Sequence, residues 1–408
     1  MQYKNLKKDS AVFNILEAEK KRQAEEIEMI ASENYVSQAV MEAMATCFTN
    51  KYSEGYPGHR YYGGNQIIDD IEALAINRAK KLFSAQHVNV QPLSGSPANA
   101  AVYFAFLKPN DKVLGLKLDH GGHLSHGHPV NFSGRLYDFV QYEIDVKTGR
   151  IDMDKVEKIA KQEKPKMIVA GYSAYSREIE WQRFKEIADM IGAYTFADIA
   201  HTAGLIAGRQ MDNPVPIFDV VSTTTHKTLR GPRGAIIMCK EKFTKQIDSA
   251  VFPGMQGGPH DHITAAKAVA LNEALQADFR TYAAQTIKNC QTLAREFTAK
   301  GYDIISNGTD NHLIVLNLSK LDLPGKEAEQ ILEQIGISVS RSTIPNDPRS
   351  PMNPSGIRIG TPAITTRGMG EAEVKQIAEL IDQALHKKNL NNIKNKMKRL
   401  CKKFPIPN

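Results

Sequence analysis

Between residues 87 and 239, six short apolar runs alternate with longer polar or helix-patterned stretches, and this alternation constrains the fold more than any other feature. The runs are HVNVQPL (87–93), KVLGLKL (112–118), KMIVAGY (166–172), YTFAD (194–198), FDVVSTT (218–224) and GAIIMC (234–239). They read as strands buried on both faces, because their apolar residues are nearly continuous rather than alternating. Interleaved with helices such as 182–192, they predict a mostly parallel α/β sheet.

Upstream, Val12, Leu16, Ala24, Ile27 and Ile30 predict one helix over 10–31 that Ser10 can cap, and a second helix beginning near Ser37. Past Pro259 a helical region covers roughly 263–300. Strands near HLIVLNLS (312–319), ISVS (337–340) and GIRIG (356–360) then alternate with helices near 325–335 and 371–388. At 408 residues the chain exceeds what one core usually supports. We divide it into an N-terminal arm plus large domain (1–275) and a small α+β domain with a basic terminal helix (276–408).

The net charge of +7 is local. Residues 387–403 hold seven lysines and one arginine with no acid, and the rest of the chain is nearly neutral. Such an end could touch RNA or anionic lipid, against the plainer reading of a solvated helix. No aromatic residues are interleaved as stacking platforms, which favours the plainer one. No apolar window is long enough to span a bilayer. The start, MQYKNLKKDS, lacks the apolar core of a secretory signal. Four scattered cysteines (47, 239, 290 and 401) have no zinc spacing, so reduced thiols in a cytoplasmic protein are expected.

Chemistry concentrates in a few segments. In STTTHKTLRGPRG (222–234), Lys227 follows a strand, where open α/β sheets bind ligands and where neighbouring cations can lower an amine's pKa. That suits a Schiff-base nucleophile for pyridoxal phosphate. Asp198 ends a strand about one strand–helix–strand unit earlier. It can pair with a pyridinium nitrogen, or merely cap the next helix. His201 would face the same pocket. SGSPANAAVYFAF (94–106) turns through Ser94, Gly95 and Ser96 into a helix with Pro97 in its first turn, so its free N–H groups form a phosphate cradle. HGGHLSHGH (120–128) invites a metal reading, but its glycines suggest a loop without a completing carboxylate or cysteine cluster. We assign no metal, and place His123 stacked on a cofactor ring. NKYSEGYPGHRYYGG (50–64) is dense in hydroxyl and charged groups, as an active-site loop or an aromatic oligomer contact would be. Arg358, in SGIRIGTPA (355–363), could bind a carboxylate through two parallel hydrogen bonds.

Together these motifs resemble the serine hydroxymethyltransferase family of fold-type-I pyridoxal-phosphate enzymes. The likeness runs from IASEN (30–34) through GYSAYS (171–176), DIAH (198–201), VFPGMQGGP (251–259) and GTDNHL (308–313) to SGIRIGTPAITTRG (355–368). It implies an aspartate-aminotransferase-like fold with a seven-stranded, mostly parallel sheet, and transfer of serine's hydroxymethyl carbon to tetrahydrofolate. Lys227 would hold the cofactor, Asp198 its ring nitrogen, Ser173 and His201 its phenolic oxygen. Ser94, Gly95, Ser96 and His226 would take the phosphate, joined by Gly257 and Gly258 of a neighbouring subunit. Arg358 with Ser32 would bind the amino-acid carboxylate. Tyr52, Glu54 and Tyr62 would enter from the partner of a homodimer, or of a tetramer, with Glu54 as acid–base group. Thr224 joins the catalytic set, and Leu118, Gly122, Leu124 and Ser342 the folate contacts. The chain departs from the family pattern at Ser340, Ser342 and Met352 on the folate side, and at His59, Leu93, Pro97 and Ala235 elsewhere. Those departures motivate an alternative: folate-independent aldol cleavage of β-hydroxy amino acids, or transfer involving α-methylserine, on the same scaffold.

Overall fold

The computed structural model describes residues 4–407. Its main sheet has seven strands: β1 (His87–Asn89), β2 (Lys112–Leu116), β3 (Asp138–Tyr142), β4 (Met167–Ala170), β5 (Tyr194–Asp198), β6 (Val220–Thr224) and β7 (Ala235–Cys239). Their spatial order is β1-β7-β6-β5-β4-β2-β3. Only β7 runs antiparallel to its neighbours. Every residue of β4, β6 and β7 is buried, which is why β4 and β7 read as unbroken apolar runs, while β6 ends in the buried hydroxyls of Ser222, Thr223 and Thr224. One face packs on a cluster containing Phe83, Phe184, Trp181 and Phe218, the other on one containing Tyr103, Phe106 and Phe196. The strand at 138–142 was not among the six runs read from the sequence: three of its five residues are only partly buried and one is exposed.

A second sheet is antiparallel throughout, with β8 (Asp303–Ile304), β9 (Leu313–Asn317), β10 (Ser340–Ser342) and β11 (Gly356–Gly360) in the order β8-β9-β11-β10. It has its own core, which includes Leu293, Phe297, Leu316, Leu332 and Ile381.

The helix expected over 10–31 spans only Ser10–Glu25, and Asp9 rather than Ser10 caps it by accepting from Val12 N. Glu26 turns extended, and Ile27–Glu28 pairs in parallel with Ile337–Ser338. Ile27 continues the helical spacing by coincidence, while Ile27 and Met29 are both fully buried in an extended segment. The helical region near 263–300 is two helices, Asp261–Ala274 and Ala277–Ala299, broken at Leu275 and Gln276.

The basic end forms a helix, Leu390–Lys403, that buries Ile393, Met397, Leu400 and Cys401 and turns its charges outward. Arg367 holds it in place. This buried guanidinium donates to Phe404 O at 2.7 Å, Cys401 O at 3.0 Å and Glu26 O at 2.7 Å, joining the ends of the first and last helices. A second buried cation braces the main sheet. Lys267 Nζ donates to Val90 O at 2.6 Å, Pro92 O at 3.1 Å and Ala235 O at 2.9 Å, one acceptor for each ammonium proton. Burial pulls this ammonium down to about 7, and the charge of Glu72 opposes that pull. No helix among the described residues is long and apolar enough to cross a membrane.

Candidate active site

The parallel strands β2, β4, β5 and β6 all point their carboxyl ends at one cavity of about 440 Å³. Those strand ends and the loops leaving them supply His123, Ser173, Asp198 with His201, and Thr224, His226 and Lys227, while the helix Gly95–Phe106 presents its start. Arg358 reaches in from β11 and Ser32 from the extended arm. Twelve of the expected residues therefore line one space: Ser32, Ser94, Gly95, Ser96, His123, Ser173, Asp198, His201, Thr224, His226, Lys227 and Arg358. Glu33, Tyr172, Ala200 and Arg233 line it as well, and no motif argument had singled them out.

Asp198 is the electrostatic centre. Its Oδ2 accepts from Asn99 Nδ2 at 2.8 Å and from His126 Nε2 at 3.2 Å, and its Oδ1 accepts from Ala200 N at 3.0 Å. Burial alone would raise its pKa, but the His126 hydrogen bond and surrounding positive charge hold it well below the usual carboxylate range. Asn99 is the organiser that the sequence motif contained without displaying. It accepts from Ser222 Oγ at 2.7 Å and donates to both Asp198 and Ser125 Oγ. Ser125 lies 2.6 Å from His123 Nδ1 through its hydroxyl and donates its N–H to the same atom. The proton of His123 therefore sits on Nε2. Burial, then His126, pushes His123 down to about 4, so the ring is neutral. His123, His126 and Asp198 bring candidate metal ligands within 4.8 Å of one another, but these atoms are engaged in the hydrogen bonds just described.

Gly171 explains how β4 and β5 approach so closely. Its φ is +148°, and a Cβ there would lie 2.2 Å from Asp198 O.

Burial lowers Lys227 to about 8, opposed by Asp198 and assisted by Arg358 and Arg233. Burial, then Arg233 and Lys227, takes His226 to about 3, and burial keeps His201 far below its usual value. Burial lowers Arg358 to about 10. Its Nη1 donates to Ser173 O at 2.5 Å, while its Nε is buried without a partner.

These features fit pyridoxal phosphate. The Ser94 side chain makes no capping bond, leaving its hydroxyl and the first N–H groups of a twelve-residue helix for an anion. A Cβ at Gly95 would meet Thr224 Cγ2 at 2.8 Å, so the turn is packed to backbone contact. His226 Nδ1 is another buried polar atom without a protein partner.

The remaining expected residues lie elsewhere. Tyr52, Glu54, Tyr62, Gly257 and Gly258 do not line the Lys227 cavity, but they come together on another face. Tyr52 Oη donates to Glu54 Oε1 at 3.2 Å, and the Tyr52 and Tyr62 rings meet edge to face at 5.1 Å. Glu54 Oε1 and the Tyr52 ring each stand within 3.2 Å of where a Cβ on Gly257 or Gly258 would sit. Ser53, bonded to Asp261, and Arg60, bonded to Asp69 and Glu72, hold this loop in shape. Leu118, Gly122, Leu124 and Ser342 also lie outside the lining residues.

A seven-stranded, nearly parallel sheet with a buried lysine and a buried aspartate together at its strand ends is the architecture of a fold-type-I pyridoxal-phosphate enzyme. A model of the serine hydroxymethyltransferase family matches residues 6–381. Serine hydroxymethyltransferases of Acinetobacter baumannii strains AYE and ACICU are each 54% identical over 404 residues, covering 98% of this chain and 97% of theirs. The chain belongs to the serine hydroxymethyltransferase family, whose enzymes use pyridoxal phosphate with tetrahydrofolate as co-substrate.

Proposed function

We propose that this chain transfers the hydroxymethyl carbon of serine reversibly to tetrahydrofolate, giving glycine and 5,10-methylenetetrahydrofolate, with Lys227 as the cofactor lysine. The observation that carries the reading is one cavity holding an amine of lowered pKa, an ionised buried aspartate and an arginine with an unpaired Nε. Bound pyridoxal phosphate supplies an electron-withdrawing ring for negative charge developing at the substrate α-carbon. Asp198 would hold a proton on the ring nitrogen, and Asn99 and His126 aim its carboxylate. Arg358 and Ser32 would orient the carboxylate, and neutral His123 would cover the ring. Ser173 and His201 would meet the phenolic oxygen, and Ser94, Gly95, Ser96 and His226 the phosphate, with Thr224 beside them; all of these line the cavity.

The same reading assigns Tyr52, Glu54, Tyr62, Gly257 and Gly258 to the neighbouring subunit's cavity. Exposure of Tyr52 (55%) and Tyr62 (49%) beside Glu54 supports a dimer in which these groups are covered. Glu54 is then the group that moves the proton of the substrate hydroxyl. Leu118, Gly122, Leu124 and Ser342 are assigned to folate. The division at residues 275 and 276 is supported by the helix break there, and a cytoplasmic location by the four free cysteines.

A second reading, folate-independent aldol cleavage, has its own support. Ser342 Oγ is turned to the carbonyl of Thr343, and Met352 is 72% exposed. Serine cleavage measured with increasing tetrahydrofolate separates the two. Strong acceleration is expected; a rate that does not respond to folate leaves the aldolase.

A further inference from the structure

The cavity needs a fixed distance between the amine it receives and the carboxylate it receives, and one side chain outside the lining residues sets it. Asn34 lies two positions beyond Ser32, across a turn closed by Glu33 N to Ile30 O at 2.9 Å. Its Nδ2 donates to Lys227 O at 3.1 Å and to Tyr282 Oη at 2.8 Å. Its Oδ1 accepts from Thr366 Oγ1 at 2.7 Å. Tyr282 Oη in turn donates to Thr228 O at 3.1 Å.

The partners that can act in only one direction fix the orientation of this amide. Backbone carbonyls only accept, so Asn34 must present its nitrogen to Lys227 and its oxygen to Thr366. A flipped amide would place oxygen against the Lys227 carbonyl and nitrogen against the threonine hydroxyl. The Lys227 carbonyl, together with the Tyr35 N–H that donates to Asn34 Oδ1 at 2.9 Å, thus selects the orientation, and Tyr282 extends the hold to the next residue of the lysine loop. The segment that carries Ser32 is tied separately to the strand of Arg358, since Gly360 N donates to Met29 O at 2.8 Å. Ser32 and Arg358 therefore move with the arm, and Asn34 joins that unit to the backbone of Lys227.

We propose that Asn34 is a positioning residue that sets the spacing between the Lys227 amine and the Ser32–Arg358 carboxylate pocket. The inference rests on the reading of those three residues given above. It places Asn34 apart from cofactor capture, because its bonds go to the Lys227 main chain and not to Nζ.

The test uses holoenzyme carrying Asn34→Ala, with Thr366→Val as the second variant should the first fail to fold. Glycine and methylamine are titrated separately, each followed through the bound cofactor's absorbance. Methylamine uses only the amine half of the site, so the two ligands report spacing rather than general damage. Glycine should bind about ten-fold more weakly in Asn34→Ala, as the loss of one well-placed hydrogen bond allows, while methylamine changes less than about two-fold. Cofactor retained after gel filtration should match the parent. Equal weakening of both ligands, unchanged glycine binding, or loss of cofactor would each overturn the proposal. Lys227→Ala and Arg358→Ala are run alongside. Normal cofactor and glycine binding in those variants would sink the reading of the cavity itself, a failure separable from that of Asn34.

Discussion

Lys227 makes a quantitative claim about reactivity that the protein can be asked directly. Burial, aided by Arg358 and Arg233, brings its amine to about 8 from an ordinary 10.5. At pH 7 an ordinary lysine is neutral in only about 0.03% of molecules, whereas one at 8 is neutral in about 9%, roughly a 300-fold gain in reactive amine. The sign follows from the environment: the ammonium is the disfavoured form, so capture of an aldehyde should rise with pH and level off above about 8. Folding stability of the cofactor-stripped protein should likewise grow as pH climbs from about 8 toward 10.5, where the unfolded chain still holds the proton that the folded one has lost. The assay is stopped-flow capture of pyridoxal phosphate by stripped enzyme between about pH 6 and 10, divided by capture on Nα-acetyl-lysine to cancel titration of the reagent. Arg358→Ala removes a cation and should move the midpoint upward; Asp198→Asn removes the opposing carboxylate and should move it downward. A midpoint near 10, or one indifferent to both substitutions, would refute the electrostatic account of this lysine.

Two further outcomes follow from other parts of the fold. Lys267→Met leaves the carbonyls of Val90, Pro92 and Ala235 without their buried donor, and should cost at least about 3 kcal/mol in urea unfolding. Mixing unfolded Glu54→Gln and Lys227→Ala chains in equal amounts and refolding them tests subunit sharing. If Glu54 serves the neighbouring cavity, half the dimers are mixed and each holds one complete site, so about a quarter of parental activity should return. No recovery would place Glu54 with its own chain's lysine.

Much of the fold was legible because buried parallel strands announce themselves as unbroken apolar runs, and five of the six lie in the main sheet within a few residues of their expected limits while the sixth, HVNVQPL, contributes only His87–Asn89. Asp138–Tyr142 was not, since a partly exposed strand has no such run. The first helix was overextended because Ala24, Ile27 and Ile30 keep helical spacing. What ends the helix is a pairing of Ile27–Glu28 with Ile337–Ser338 some three hundred residues away, which no local pattern can display. The site divides the same way. Lys227, Asp198, Arg358 and the Gly95 turn were visible because their chemistry demands particular residue types beside strand ends. Asn99 and Asn34 bond partners distant in sequence, and an asparagine at such positions is unremarkable until the chain closes.

The charges around the cavity explain why its histidines can serve as neutral hydrogen-bonding groups. Lys227, Arg233 and Arg358 bring three cationic side chains to the wall, and Asp198 is held ionised among them. Burial already penalises an imidazolium there, and the same cations penalise it again, so His123, His201 and His226 all fall well below their ordinary range. A ligand carrying both a phosphate and a carboxylate meets fixed cations at either end and neutral rings between. Its anionic groups are matched by Arg233 and Arg358 rather than by histidines that would lose their charge in the physiological range. The cost is borne by Lys227, which sits among like charges and is pushed toward the free amine. That electrostatic arrangement serves two purposes: it receives the anionic ends of the ligand, and it prepares the one amine that must form a covalent bond.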